Sequence, residues 1–320
     1  MGKCDRCSKE GKIFLVYGPH YFCHSHFLEF FEKRVRKTIN KFRLVKPGEK
    51  IAIGVSGGKD SITVLHLLRE IFPKGTELKP VCIDEGIPGY RDKALRIAKK
   101  HFQELGMDYA IISMKKEIGF SMAEIAKKLN KEKEKQETQG TCSYCGVFRR
   151  KLLNDFAVSE RCNKLATGHN LDDEVQTILM NICQNNFARF SRLGPITELK
   201  AKGFVPRIKP LYETPEKEII TYTALKGWRV YNAECCPFSS QAKRNAFRNA
   251  FDSLEEKYPN VKFAALKFYQ QLKPLLGKES GDKIRHCVFC GAPASGIGEC
   301  AACKQLKKLT DQNFSKGPVV

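Results

Sequence analysis

Four pairs of cysteines in this sequence have the Cys-x-x-Cys spacing, which lets two thiolates bind the same metal ion. Three pairs lie near an end of the chain, and one lies in its middle, in the segment TCSYCGVFRR. The pairs are Cys4 and Cys7, Cys142 and Cys145, Cys287 and Cys290, and Cys300 and Cys303. We expect metal binding rather than disulfides, because the sequence shows no secretory signal and the spacing suits a metal.

The pairs near the two ends belong to two sets of four ligands, each predicted to bind one structural zinc ion. The ligands are Cys4, Cys7, Cys23 and His26 in the first set and Cys287, Cys290, Cys300 and Cys303 in the second. His24 is the alternative fourth ligand of the first set. Four protein ligands leave no open position on a tetrahedral zinc ion, so both modules are expected to be structural and to help bind RNA.

A glycine-rich segment, GVSGGKDS, has the composition of a phosphate-binding loop. It contains Gly54, Val55, Ser56, Gly57, Gly58, Lys59, Asp60 and Ser61. Glycines let the backbone turn sharply and present its N–H groups, and the N-terminus of a following helix adds positive potential. The segment is not a Walker A loop, because Ile53 stands where that motif needs its first glycine.

A second segment whose residues could take part in catalysis or ligand binding is LATGHNLDDEVQT, from Leu165 to Thr177. A strand that ends near Gly168 and His169 would place these residues at the carboxyl edge of a sheet, where open α/β folds bind ligands. Asp172 and Asp173 offer the hard oxygen ligands that Mg²⁺ prefers. Alternatively, these aspartates cap the N-terminus of the following helix.

Strand-like and helix-like segments alternate around both motifs, which predicts an α/β fold with a parallel sheet and helices on both faces. The predicted domains are an N-terminal zinc finger (residues 1–28), a catalytic domain (29–277) and a C-terminal zinc ribbon (278–320). The charge-dense stretch KKLNKEKEKQETQ, residues 127–139, is expected to be a solvated helix or a mobile loop.

The charge of the chain favours a polyanionic partner. The sequence has 56 Lys and Arg against 35 Asp and Glu, a formal net charge of +21. Such an excess points first to nucleic acid. No apolar run approaches the roughly 20 residues that span a bilayer, so we expect a cytoplasmic protein without membrane contact.

The form SGGKDS resembles the PP-loop of ATP pyrophosphatases, which hold ATP and release pyrophosphate. With GHNLDDE, the central cysteines and the flanking zinc modules, nearly the whole chain resembles the tRNA 2-thiouridine synthetases of the TtuA type. The resemblance implies the PP-loop fold and ATP with Mg²⁺ as cofactors. It assigns ATP contacts to the loop, Ile83, Gly168, His169 and Asp173. It assigns catalytic roles to Lys59, Asp60, Asp172 and Asp173.

The same resemblance implies that three cysteines hold a [4Fe–4S] cluster whose fourth iron is open to sulfur. Cys142 and Cys145 would be two of these catalytic ligands, and the segment AECCPFS would supply the third. The family's third cysteine precedes proline, which indicates Cys236, with Cys235 as its rival. Two other interpretations of the central cysteines remain open, a persulfide or disulfide pair and a third zinc site.

The predicted function is therefore ATP-dependent tRNA 2-thiolation: the uridine C2 carbonyl is adenylated, and its oxygen is replaced by sulfur. The predicted partners are tRNA, a sulfur donor (a ubiquitin-like thiocarboxylate protein or sulfide) and a second copy of the chain in a homodimer. One alternative is another PP-loop enzyme, which thiolates a wobble uridine or a cytidine or joins lysine to a base. The other is a non-catalytic RNA-binding zinc-ribbon protein.

Overall fold

The computed structural model of this protein describes residues 2–71, 75–133, 140–197, 201–231, 236–238, 244–276, 285–294 and 298–310, without the side chains of 131–133. Its N-terminal part contains two small antiparallel hairpins followed by a long helix. These elements are β1 (Gly2–Lys3), β2 (Glu10–Gly11), β3 (Ile13–Leu15), β4 (His20–Phe22) and α1 (His24–Lys41). The helix begins directly after Cys23, so its first turn carries His26. One face of α1 buries Phe27, Phe31 and Val35.

The central part alternates strands and helices as the sequence predicts. Its strands are β5 (Lys50–Gly54), β6 (Glu77–Asp84), β7 (Ala110–Ser113), β8 (Lys164–Ala166) and β9 (Arg207–Ile208). Its helices are α2 (Lys59–Ile71), α3 (Arg91–Glu104), α4 (Met114–Ile118), α5 (Met122–Lys133), α6 (Thr141–Ser159), α7 (Leu171–Cys183), α8 (Phe187–Phe190), α9 (Glu216–Leu225), α10 (Arg244–Lys257) and α11 (Val261–Leu272). A short 3₁₀ turn, Lys273–Leu276, follows α11.

The five strands form one parallel sheet in the order β7-β6-β5-β8-β9. The chain builds outward from β5 in one direction and then resumes on the other side with β8. This reversal makes the edge between β5 and β8 the switch point at which doubly wound folds bind ligands. The central strand is fully covered, since Ile51, Ala52 and Ile53 have no exposed surface. The predicted fold class, a parallel sheet packed between helices, is confirmed.

The last described elements are β10 (Arg285–His286), β11 (Pro293–Ala294) and α12 (Ala301–Thr310). Helix α12 packs on α6, so the second cysteine-rich module lies against the helix that carries the central cysteine pair. The charged stretch 127–139 is helical as far as Lys133, and the rest of it lies outside the described residues. Among the described helices, none is both long enough and apolar enough to cross a membrane.

Candidate active site and metal centres

The glycine-rich loop joins β5 to α2 and is held in shape by its own serines. The Ser56 N–H donates to Ser61 Oγ at 3.0 Å, and Ser61 Oγ donates to the Gly58 carbonyl at 2.9 Å. Gly57 has φ +89°, and a Cβ there would lie 2.3 Å from the Ala94 carbonyl oxygen. Only glycine fits that position, and the loop is therefore locked against α3 with its backbone near the N-terminus of α2.

Lys59 and Asp60 occupy the first turn of α2. Lys59 Nζ lies 2.6 Å from Glu216 Oε1 and 3.2 Å from Asp60 Oδ2. Burial by itself lowers the pKa of Lys59, but the two carboxylates outweigh it and raise the pKa, so the ammonium stays charged. The loop therefore keeps a fixed cation beside the predicted phosphate position.

Asp60 and Asp173 meet where the N-termini of α2 and α7 approach each other. Asn170 caps α7 by accepting the Asp173 N–H at 3.0 Å, and its Nδ2 donates to Asp60 Oδ1 at 3.0 Å. Burial raises the pKa of Asp60, and the negative charge of Asp173 adds to the effect against the opposing Lys59. A Mg²⁺ ion bound between these two carboxylates would relieve their mutual repulsion, and carboxylate oxygens are ligands that Mg²⁺ prefers. Arg244 partly balances this charge, with Nη1 at 2.7 Å from Asp173 Oδ1.

Asp172 is engaged differently from its neighbour. Its Oδ1 lies 2.5 Å from the Nζ of Lys262, and its Oδ2 accepts the N–H of Glu216 at 2.7 Å. Asp172 thus fixes the first residue of α9, the helix whose Glu216 side chain holds Lys59. Asp172 is also buried, at 5% exposed, whereas Asp60 and Asp173 are only partly buried and more accessible to an ion, and the catalytic role of Asp172 stays a prediction.

The other predicted nucleotide residues lie at the same sheet edge. Gly168 follows β8, and a Cβ on it would lie 2.9 Å from the Ser61 nitrogen and 3.0 Å from the Asp60 carbonyl carbon. This glycine lets β8 approach the start of α2. His169 is exposed, with Nδ1 at 2.9 Å from Thr167 Oγ1. Ile83 is buried in β6, and its carbonyl accepts from Arg91 Nε at 2.7 Å.

A pocket of about 230 Å³ contains the central cysteines. Its lining residues are Glu85, Ile87, Tyr90, Met122, Thr141, Cys142, Cys145, Arg149, Cys236 and Phe238. Helix α6 begins at Thr141, so the Cys-x-x-Cys pair lies within its first turns rather than before the helix. Cys235 lies outside the described residues. The structure thus brings Cys236 to the pair from about 90 residues further along the chain, as predicted.

The cysteine pocket is partly open to solvent, since Cys142 is exposed whereas Cys145 and Cys236 are half-buried. Burial raises the pKa of the Cys145 thiol to about 11, against the lowering effect of Arg149. Cys142 Sγ lies 3.4 Å from the Phe238 carbonyl oxygen. Three thiol ligands with an adjacent cation fit an iron–sulfur cluster, because thiolates are its usual ligands and Arg149 would offset its negative charge.

A buried carboxylate joins this pocket to the glycine-rich loop. Glu85 Oε2 lies 2.6 Å from Arg91 Nε, and Glu85 Oε1 lies 3.6 Å from Arg149 Nη1. Arg91 in turn donates from Nη1 to the Ser56 carbonyl at 2.5 Å. The chain of contacts from Ser56 through Arg91 and Glu85 to Arg149 therefore spans the two halves of the site. We call it the Glu85 network.

Both cysteine modules gather their ligands in the compact way that a single ion requires. In each predicted quartet, with His26 rather than His24 in the first, the ligand atoms lie within 4.8 Å of one another. Cys7 and Cys23 have Sγ atoms 3.8 Å apart, and Cys290 and Cys300 have theirs 3.7 Å apart. Tetrahedral zinc with Zn–S bonds of about 2.3 Å separates its sulfurs by about 3.8 Å. Among the described residues, Cys142, Cys145 and Cys236 do not form such a compact set, which disfavours a third zinc site.

A family model described as the PP-loop domain matches residues 28–253. The tRNA-5-methyluridine(54) 2-sulfurtransferase of Pyrococcus horikoshii is 35% identical, over 98% of this chain and 96% of the relative. The tRNA 2-thiolation protein NcsA of Haloferax volcanii is 32% identical, over 96% of this chain and 99% of the relative. The chain belongs to the PP-loop tRNA 2-thiolation sulfurtransferases. A solved structure agrees: the U34-tRNA thiolase NcsA from Methanococcus maripaludis with its [4Fe-4S] cluster has a TM-score of 0.81, 31% identity and 99% coverage of both chains.

Several residues that shape this candidate site carry no motif that marks them in the sequence. Each has at least one partner that is distant along the chain; they are Glu85, Arg91, Glu216, Arg244 and Lys262. The one available signal was Glu85 in CIDEG, a charged residue directly after an apolar strand. Such a position at the carboxyl end of a parallel strand is typical of a ligand-binding edge.

Proposed function

We propose that this protein is an ATP-dependent tRNA sulfurtransferase that forms 2-thiouridine. The observation that carries the proposal is the Glu85 network, which holds an ATP-type phosphate loop and a three-cysteine pocket in one site. A nucleotide loop alone would fit any PP-loop enzyme. A three-cysteine pocket beside it fits one that delivers sulfur to an adenylated base.

In the first half of the reaction, the loop N–H groups and the N-terminus of α2 bind the phosphates of ATP. Asp60 and Asp173 would hold Mg²⁺, and Lys59 neutralises charge that develops on the phosphates. The C2 oxygen of the uridine attacks the α-phosphorus, and the bond to the β-phosphate oxygen breaks. Pyrophosphate leaves, and the base carries AMP on its C2 oxygen.

In the second half, sulfide-level sulfur attacks C2 of the adenylated base as hydrosulfide, the C2–O bond breaks so that AMP leaves with the original oxygen, and the sulfur loses its proton. Cys142, Cys145 and Cys236 would hold a [4Fe–4S] cluster, which with three protein ligands supplies an open iron that can bind sulfur. Arg149 lies beside Cys145 and balances negative charge in the pocket.

Further parts of the proposal rest on the surrounding structure. The two compact quartets bind structural Zn²⁺. The thiol ligands suit a reducing compartment, which supports a cytoplasmic location. Sulfide or a protein thiocarboxylate is the sulfur donor, and the homodimer stays a prediction.

The test is anaerobic turnover with ATP, unmodified tRNA and sulfide. One pyrophosphate and one AMP should form for each 2-thiouridine, and nucleoside mass spectrometry on tRNA fragments should place it at position 54 or 34. Before turnover, the anaerobic visible spectrum should show iron–sulfur absorbance. Pyrophosphate release without sulfur incorporation, in protein that holds no iron, would favour a ligase of the lysidine type. If the protein did not cleave ATP in the presence of tRNA, the remaining interpretation would be a non-catalytic RNA-binding protein.

A further inference from the structure

A second cavity, of about 600 Å³, lies between α1 and α11 and shares no lining residue with the cysteine pocket. Cations dominate its lining, whereas Glu213 is its one carboxylate. The cations are Arg6, Lys33, Arg34, Lys37, Lys41 and Lys267. We call this cavity the α1–α11 groove. Arg6, Arg34 and Lys41 each face a carboxylate, and the remaining like charges around this concave surface favour the binding of an anion.

The floor of the groove is rigid because Arg34 is held on several sides. Its Nη2 donates to Tyr17 Oη at 2.9 Å, and its Nε lies 3.4 Å from Glu218 Oε2. The guanidinium also lies over the rings of Phe30 and Phe263, 4.9 and 5.3 Å from their centroids. Arg34 therefore shapes the groove and contributes charge without being free to move.

The walls differ from the floor, because Lys33, Lys37 and Lys267 are exposed and form no ion pair with any carboxylate of the described residues. Lys33 and Lys37 are one turn apart on α1, and Lys41 continues the same row. Like charges at this spacing destabilise a helix. The row extends for about 12 Å along the helix axis. A row of this length suits a succession of phosphates better than one small anion.

The groove adjoins the nucleotide loop. Glu213 lines the groove, and Glu216, three residues later, holds Lys59 of the loop. Three residues span at most about 11 Å. A polymer bound along α1 therefore passes beside the place where ATP is proposed to bind.

We propose that the α1–α11 groove binds the sugar–phosphate backbone of the RNA substrate, with Lys33, Lys37 and Lys267 as phosphate contacts. This assignment rests on the proposed function, which supplies the RNA. Contacts of this kind position the nucleic acid and carry no sequence information. The groove thereby holds the tRNA body while the target uridine reaches the loop and the cysteines.

The experiment compares tRNA binding by the full-length, anaerobically prepared protein and its variants over a range of salt concentrations. The groove variants are Lys33→Glu with Lys37→Glu, and Lys267→Glu alone. The matched control is Lys93→Glu with Lys99→Glu, which reverses two exposed lysines of α3. A third variant, Lys33→Arg with Lys37→Arg, keeps the charge. Thermal melting and ATP binding are measured for each, and both should match those of the wild type because the side chains are exposed.

We expect the double groove variant to bind tRNA at least tenfold more weakly than the control. The slope of log K against log salt should become less steep by about 2, since each lost phosphate contact removes about 1. Lys267→Glu should show a smaller loss in the same direction, and the arginine variant should bind as the wild type does.

Two results would overturn the assignment of the groove to RNA while leaving the proposed function intact. One is steep, salt-dependent tRNA binding by the wild type that the groove variants retain in full. The other is unchanged tRNA binding with turnover lost only when a carrier protein, rather than free sulfide, supplies sulfur, which would assign the groove to that protein. If the wild type itself bound no tRNA, the proposed function would fail and the groove assignment with it.

Discussion

Lys262 Nζ lies 2.5 Å from Asp172 Oδ1, and both side chains are almost fully buried although 90 residues separate them in sequence. Asp252 and Glu255 also contact the ammonium, at 2.9 and 3.2 Å. Burial by itself lowers the pKa of Lys262, but these carboxylates outweigh it and raise the pKa. The lysine is thus a charged anchor that ties α11 to the first turn of α7 and, through Asp172, to the start of α9.

The first prediction concerns this anchor. Lys262→Met should lower the free energy of unfolding by about 3 kcal/mol, because it leaves Asp172 buried without its cation. Denaturant unfolding measures the loss, and the double variant Lys262→Met with Asp172→Asn should recover part of it. If Asp172→Asn alone abolished ATP cleavage without any loss of stability, Asp172 would instead act on the nucleotide.

The second prediction concerns the contact between β8 and the loop. Gly168→Ala places a methyl group about 3 Å from backbone atoms of Asp60 and Ser61, which cannot move as a flexible side chain would. We expect the start of α2 to shift and ATP to bind at least tenfold more weakly, with tRNA binding retained. Gly140→Ala, where a Cβ meets nothing within 4 Å, is the control. Equal ATP affinity in both variants would contradict the prediction.

The third prediction concerns the cysteine pocket. Cys142→Ala, Cys145→Ala and Cys236→Ala should each remove the iron absorbance and all thiolation, while zinc content and ATP binding remain. Cys183→Ala, which removes an exposed cysteine of α7, should change neither. Anaerobic spectra and metal analysis provide the measurement. A cluster that survives Cys236→Ala and is lost in Cys235→Ala would transfer the third ligand to the adjacent cysteine.

The fourth prediction concerns pH and the buried pair His66 and His101. His66 Nε2 lies 2.9 Å from His101 Nδ1, and its ring stacks on Trp228 at 4.0 Å. Burial, and then the charges of His101 and Lys226, lower the pKa of His66 to about 4. The unfolded chain therefore takes up this proton first as the pH falls.

This pKa difference has a definite sign. Its contribution to stability is complete above about pH 6.5 and is lost progressively down to about pH 4, at most about 3 kcal/mol. His66→Phe keeps the stacking but cannot titrate, so its free energy of unfolding should fall less steeply between pH 7 and pH 5. Parallel slopes for the two proteins would contradict the prediction, because they would show that His66 has the same pKa in the folded and in the unfolded chain.

The sequence predicts those parts of the site that depend on neighbours along the chain. Gly57 and Lys59 lie in a contiguous loop whose conformation follows from its glycines and the flanking strand and helix. The zinc quartets are similarly local. Asp172 shows the limit: the sequence predicts that Asp172 or Asp173 serves Mg²⁺, and this stays a prediction, but Asp172 also contacts Lys262. No periodicity or spacing indicates that partner, because a lysine within a helical pattern, such as Lys262, is normally predicted to be exposed to solvent.

The Glu85 network has the same origin in tertiary structure. Arg91 lies on α3, Arg149 lies on α6, and Glu85 follows β6, so their contacts depend on how three elements pack. The approach of Cys236 to Cys142 is another long-range contact, and it was anticipated through the family resemblance rather than through spacing. Sequence patterns thus indicated the candidate groups, and packing determined what each one touches.

Glu85 also bears on the relative position of the groups that act in the two proposed half-reactions. In the proposed reaction, adenylation activates the C2 oxygen of the base and sulfur then attacks the adjacent C2 carbon, so the groups that promote the two steps must be held close together. The phosphate loop and α6, the helix with the central cysteine pair, are both linked to the Glu85 carboxylate, the loop through Arg91 and the helix through Arg149. Glu85 is thus the single residue through which the position of the phosphate loop and that of the cysteine-bearing helix depend on each other.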